Sequence, residues 1–169
     1  MDFERLSVPR QRLERGLGLS AGRHVRLQQS GLFADLGGGR GNARGYTVSE
    51  VVSLAAALDL ADLGASNKDV VKIATARSAY AAGLEGENEL VLAAQGRGYL
   101  SRVPSFYSGP RVVLPLAEPF RRGVNIVLVH ALDVDSRAET ELVRAAFGEY
   151  INGLRRANAP LADAIQAAS

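Results

Sequence analysis

Eight arginines fall within the first 47 residues (Arg5, Arg10, Arg12, Arg15, Arg23, Arg26, Arg40 and Arg44), against the four acids Asp2, Glu4, Glu14 and Asp35. Two of their groupings have the composition of a polyanion reader. Arg23, His24, Arg26 and Gln28 lie within six residues, and Arg40, Asn42 and Arg44 alternate through the glycine run GGGRGNARG at 37–45. A guanidinium offers paired N–H donors that match a phosphate or the O6/N7 edge of guanine, and a Gln amide can pair with adenine in the same way. Glycines let backbone amides approach an anion closely, so Arg40, Asn42 and Arg44 suit contact with a phosphate backbone. A third group, Arg10, Arg12 and Arg15, reads either as a solvated helix face or as a flank of the same site.

The charge along the chain follows this division. Residues 1–47 carry a net charge of +4. Residues 48–89 hold three Lys/Arg against seven acids, and the remainder holds nine Arg against seven acids. A basic front followed by an acidic unit points to a polyanionic partner at the front. Other chemistry is missing. The chain has no cysteine, which excludes disulfides and thiolate metal sites. Its two histidines, His24 and His130, lie in different halves, and neither a metal nor a cofactor is expected. The glycine run lacks the Lys-Ser/Thr of a phosphate loop and follows a helix rather than a strand. No nucleophile elbow or HExxH occurs, and Asp133 with Asp135 reads as the approach to a helix capped by Ser136. No catalytic residue is assigned, and the chain is expected not to be an enzyme.

These side chains need elements to hold them. Ser7-Val8-Pro9 is expected to open a short helix running to about Leu17 and stopped by Gly16 and Gly18. Ser20 caps a second helix from about Ala21 to Ser30, closed by Gly31, with Val25 and Leu32 as core positions. Two short helices joined by a tight glycine-containing turn form a helix-turn-helix. Residues 32–46 read as a β-ribbon with a mobile tip, its arms anchored by Phe33, Leu36 and Tyr46. Tyr46 is placed under that ribbon with its hydroxyl reaching toward a phosphate, and His24 at the groove edge or in packing. Thr47-Val48-Ser49-Glu50 is a capping box opening a helix to about Leu63, closed by Gly64. Ser66-Asn67-Lys68-Asp69 opens another, expected to reach Gly83.

This order resembles the DNA-binding domain of the MerR family over residues 6–80. The matching text is Gly18-Leu19-Ser20, then Ser30-Gly31-Leu32, the ribbon closing in Arg44-Gly45-Tyr46-Thr47, Glu50-Val51 with Leu54, and Leu63-Gly64-Ala65-Ser66. The resemblance implies a winged helix-turn-helix, with the helix after Ser20 as recognition helix and residues 37–45 as wing. The pattern departs in two places. The family's arginine followed by an aromatic pair falls on Val25, Arg26 and Leu27, where the arginine comes one position late and no aromatic follows. The family's long dimerising helix is replaced by a turn at Gly83 and then strand-like texture.

GLEGENE, residues 83–89, reads as a linker. Beyond it, Glu89–Ala94, Tyr99–Val103, Arg111–Leu116 and Val124–Val134 are expected as strands, with Gln95-Gly96 and 121–123 as turns and Pro115 marking an edge. Ser136-Arg137-Ala138-Glu139 caps a long helix with Val143, Phe147, Tyr150, Ile151 and Leu154 along one stripe, and Asn158-Ala159-Pro160 starts a last short one. The expected fold is mixed α+β: a winged helix-turn-helix at 1–83, mostly α with a β-wing, then a small α+β unit at 88–169 serving dimerisation or regulation. No run is apolar and long enough to cross a bilayer, and MDFERLSVPRQR has no apolar core of a secretory signal. A cytoplasmic, nucleoid-associated protein is expected. The function implied is a sequence-specific regulator of transcription on double-stranded DNA, acting as a homodimer, in contact with the transcription machinery and away from membranes. Two alternatives stay open: an architectural, recombination-accessory or phage-packaging factor, and a protein-interaction adaptor whose winged fold has lost DNA binding.

Overall fold

Serine, threonine and asparagine caps set most of the helix starts. The computed structural model describes residues 1–33, 45–76, 78–95, 98–100, 107–133 and 136–169. Strand β1 (Ser7–Pro9) runs into helix α1 (Arg10–Gly16), and α2 (Ala21–Gln29) follows with Ser20 as N-cap, its side chain accepting from the Arg23 amide. Strand β2 (Gly45–Thr47) runs into α3 (Val48–Asp62), and the Thr47 N–H donates to Glu50 Oε2 at 3.0 Å within the expected capping box. Gly64, at φ 90°, takes the left-handed conformation that ends α3. Ser66 caps α4 (Asn67–Thr75), and α5 (Ser78–Leu84) comes next.

Three expectations change here. Ser7–Pro9 is not a helix start but a strand, paired antiparallel with β2 in the register Val8↔Tyr46, and Pro9 serves as the N-cap of α1. The closing arm of the expected ribbon therefore pairs with the segment before α1, while Leu32 and Phe33 sit buried in a turn after α2. Residues 34–44, including Leu36, lie outside the described residues. The helix expected from 67 to Gly83 is two helices. The Thr75 hydroxyl donates back to the Val71 carbonyl (2.7 Å), the kind of side-chain bond that competes with helix continuation.

The second half holds β3 (Glu89–Gln95), β4 (Gly98–Leu100) and β5 (Arg111–Pro115) in one antiparallel sheet of order β4-β3-β5. Pro115 ends β5, which is an edge strand as expected, opposite Glu89. Of the strand expected at 99–103, residues 99 and 100 belong to β4 and the rest lies outside the described residues. The fourth expected strand is a helix. α6 (Ala117–Leu132) takes up residues 124–132 and the turn expected at 121–123. Its Val- and Ile-rich run suggested strand propensity. Burial of Phe120, Gly123, Val124, Val127 and Leu128 follows helical spacing instead, and Pro119 sits in the first turn where proline is tolerated. α7 (Arg137–Ala157) and α8 (Ala159–Gln166) complete the fold with the expected caps: Ser136 accepts from the Glu139 amide and Asn158 from Leu161. The α7 stripe is buried at Val143, Tyr150, Ile151 and Leu154, joined by Ala146, with Phe147 partly buried against the core.

One hydrophobic core runs through both expected segments. α3, buried along most of its length, packs on α4 and on α6. The approach of α6 to α3 is tight at Gly123, where an added Cβ would stand 3.0 Å from the backbone N and Cα of Val52. The fold is thus mixed α+β, dominated by helices and carrying two small antiparallel sheets. Among the described residues, no helix is long and apolar enough to cross a membrane.

Candidate nucleic-acid interface

α2 has a short buried stripe and a wide outer face. Leu27 and His24 are fully buried, with Leu19 before the helix and Leu32 after it also in the core. Burying a leucine stabilises by roughly 1.5–3 kcal/mol, so these three largely fix how α2 sits. The opposite side carries Val25, Arg26, Gln28 and Gln29 exposed, with Arg23 half-exposed. Arg23 and Arg26 make no side-chain hydrogen bond or ion pair among the described residues. Val25, expected in the core, is 38% exposed, and His24 takes the interior position beside it. The burial phase of α2 is therefore one residue away from that expected, which leaves Arg26 outward and Leu27 inward.

His24 lies in a polar chain that ties three elements together. Arg10 of α1 donates through Nε to Glu14 Oε1 (2.6 Å) and through Nη2 to the Ala21 carbonyl (3.2 Å). Glu14 Oε1 meets His24 Nδ1 at 2.9 Å, and His24 Nε2 meets the Tyr46 hydroxyl at 2.9 Å. The Gln28 amide donates to the same hydroxyl at 3.0 Å. The donor and acceptor in the two histidine contacts depend on the imidazole's protons, while the Tyr46 hydroxyl accepts from Gln28. The Arg10 guanidinium, hydrogen-bonded to Glu14, holds that carboxyl below its usual range against the opposing effect of burial, and His24 adds to the lowering. Chemically the chain is a clamp. It fixes α2 to α1 on one side and to β2 on the other, while Arg23 and Arg26 stay outside it.

The expected site residues therefore separate. Arg23 and Arg26, three residues apart on α2, lie on neighbouring positions of its surface, while the Gln28 side chain turns to the Tyr46 hydroxyl. His24 and Tyr46 are interior. Tyr46 is 1% exposed and its hydroxyl is occupied by His24 and Gln28, so it is not placed to meet a phosphate, nor His24 a groove. Arg40, Asn42 and Arg44 lie outside the described residues. Just before them, Gly31 (φ 99°) and Phe33 (φ 51°) adopt left-handed backbone. For Phe33 that costs about 1–2 kcal/mol, offset by burial of its ring 6.0 Å from that of Tyr46. Of the first-helix arginines, Arg10 belongs to the clamp, Arg12 pairs with Asp133, and Arg15 is exposed with no partner among the described residues.

The chain matches no family model, no curated protein and no solved structure.

The Glu14–His24–Tyr46 clamp is what sequence reasoning missed. Glu14 and His24 are ten residues apart on different helices, and Tyr46 comes 22 residues later, so no local spacing connects them. The available signal was burial phase: with Leu27 and Leu32 inside, position 24 falls on the same side of the helix as Leu27. Among the described residues, no cluster of His, Asp and Glu could hold a metal.

Proposed function

We propose that the protein is a sequence-specific double-stranded DNA-binding regulator of transcription, with α2 laid along the major groove. One observation carries the reading. Among the described residues, Arg23 and Arg26 stand without side-chain partners on the outer surface of a capped helix whose inner face is locked to α1 and β2. A preorganised helix presenting free guanidiniums suits a groove, where each can grip a guanine edge or a phosphate. Val25, also exposed on α2, suits contact with a thymine methyl. The resemblance of residues 6–80 to the MerR DNA-binding domain supports the same placement, and in it Arg40, Asn42 and Arg44 take the phosphate backbone beside the groove. A homodimer reading two half-sites of an inverted repeat follows from that resemblance.

Fluorescence anisotropy with labelled duplexes over about 50 to 200 mM salt tests the proposal. Affinity is expected to fall steeply with salt, because each neutralised phosphate releases counterion at a slope of about 0.9 on logarithmic axes. Arg23→Ala is expected to cost about 1–3 kcal/mol and to relax preference at particular base pairs. Absence of any salt-dependent duplex binding at low salt removes the reading. It would leave the exposed Val25 face to a protein partner.

A further inference from the structure

The arginines of the first helix find a second setting at the seam with α6. A cleft of about 300 Å³ opens there, lined by Arg12 and Arg15 of α1 and by Arg121, Arg122, Asn125 and His130 of α6. Four guanidiniums share this lining, and among the described residues no carboxylate does. Ile126, Val129 and the end of α1 at Gly16 give it an apolar wall. We propose that this cleft binds a small organic phosphate, the phosphoryl group on the arginines and the organic body against Ile126 and Val129.

Carboxylates from outside the cleft engage three of the four cations. Asp133 pairs with Arg12, Glu118 with Arg121 (2.6 Å), and Asp59 with Arg122 (2.5 Å). Arg15 is left with its whole guanidinium unpaired among the described residues. The Arg12–Asp133 pair is about half solvent-exposed, and surface pairs contribute little to stability, so it can open to receive a stronger acceptor. Two further polar atoms are buried and have no hydrogen-bond partner among the described residues: Arg122 Nε and His130 Nδ1. Buried polar groups in folded proteins are almost always satisfied, so Arg122, whose Nε has its carboxylate neighbour Glu118 Oε1 only at 3.9 Å, and His130 each carry unused hydrogen-bonding capacity among the residues that line the cleft. The volume lies at the lower end for small-molecule sites, which suits a nucleoside monophosphate. A fork of planar guanidiniums favours phosphate, whose oxygens accept paired N–H donors. Nothing in this argument uses DNA binding, so the site stands or falls separately from the proposed function.

The test is titration of the full-length protein with AMP, inorganic phosphate, citrate and adenosine, read by calorimetry and by amide NMR shifts. AMP is expected to bind saturably, one per chain, shifting Arg15, Gly16, Asn125 and Ile126, at least about tenfold more tightly than inorganic phosphate, with no binding of adenosine. Arg15→Ala, at an exposed and unpaired position, is expected to weaken AMP about tenfold while leaving the thermal midpoint in place. His130→Gln provides an independent second loss. Inorganic phosphate binding as tightly as AMP overturns the organic part of the proposal, and citrate matching AMP overturns the phosphate class. No saturable shift with any of the anions overturns the site. A short DNA duplex shifting the same four amides in place of AMP would make this face part of a nucleic-acid surface and would equally overturn it.

Discussion

α2 and α6 each carry two arginines close together, and the molecule employs them in opposite ways. On α2, Arg23 and Arg26 face outward with no partner among the described residues. On α6, Arg121 grips both oxygens of Glu118 at 2.6 and 2.8 Å, and Arg122 reaches across to Asp59 of α3 and the Ala55 carbonyl. The helices differ likewise in glycine. Gly22 of α2 has nothing within 4 Å of where a Cβ would stand, whereas Gly123 of α6 is pressed against Val52. One helix is held by a single buried stripe and shows its remaining surface. The other is the seam on which the two halves of the chain close. A net charge such as the +4 of residues 1–47 therefore does not by itself say which cations are open: Arg10 and Arg12 already meet Glu14 and Asp133.

The comparison breaks most visibly at the seam. Gly123→Ala would push a methyl to 2.6 Å from Val52 Cγ2 and 3.0 Å from its backbone, and backbone cannot swing aside as a side-chain tip can. A loss of about 3 kcal/mol in urea unfolding is expected, at the upper end of overpacking effects. A loss under about 0.5 kcal/mol would mean that α3 and α6 are free to separate. His24→Ala attacks the clamp from inside, stripping partners from Glu14 and Tyr46, and is expected to cost about 2 kcal/mol by the same measurement. An unchanged midpoint would show that Leu27 and its neighbours hold α2 unaided. The smallest effect has the opposite sign. Gly22→Ala in the open first turn of α2 is expected to stabilise by about 0.5 kcal/mol, through lower backbone entropy in the unfolded chain.

The same contrast explains what was readable beforehand. Caps act over three or four residues, so Ser20, Thr47, Ser66, Ser136 and Asn158 were legible and mark real helix starts. α6 was misread because a helix buried at a seam carries apolar residues on more than one side, and its Val-Ile run then mimics a strand. Starting the phase at Phe120 instead of Val124 recovers the helix. β1 has three residues and no pattern of its own; its pairing with β2, 38 residues on, defines it. At the candidate interface, the outward placement of Arg26 and the partial exposure of Arg23 follow from the phase of α2 alone and need no long-range partner. For His24 and Tyr46 the packing alternative holds and the groove and phosphate contacts do not, and the partners that decide this come from elsewhere in the fold.

Thr47 is at once the last residue of β2 and the cap of α3. Strand and helix thus meet with no intervening peptide to swivel, and Tyr46 rides directly on the deepest rod of the molecule. Any tilt of that rod is delivered to His24 and from there to the outward helix, like play in an axle felt at the rim. Substitutions that re-aim α2 are to be sought at Glu50 and Val51, deep in the interior, as well as at the surface.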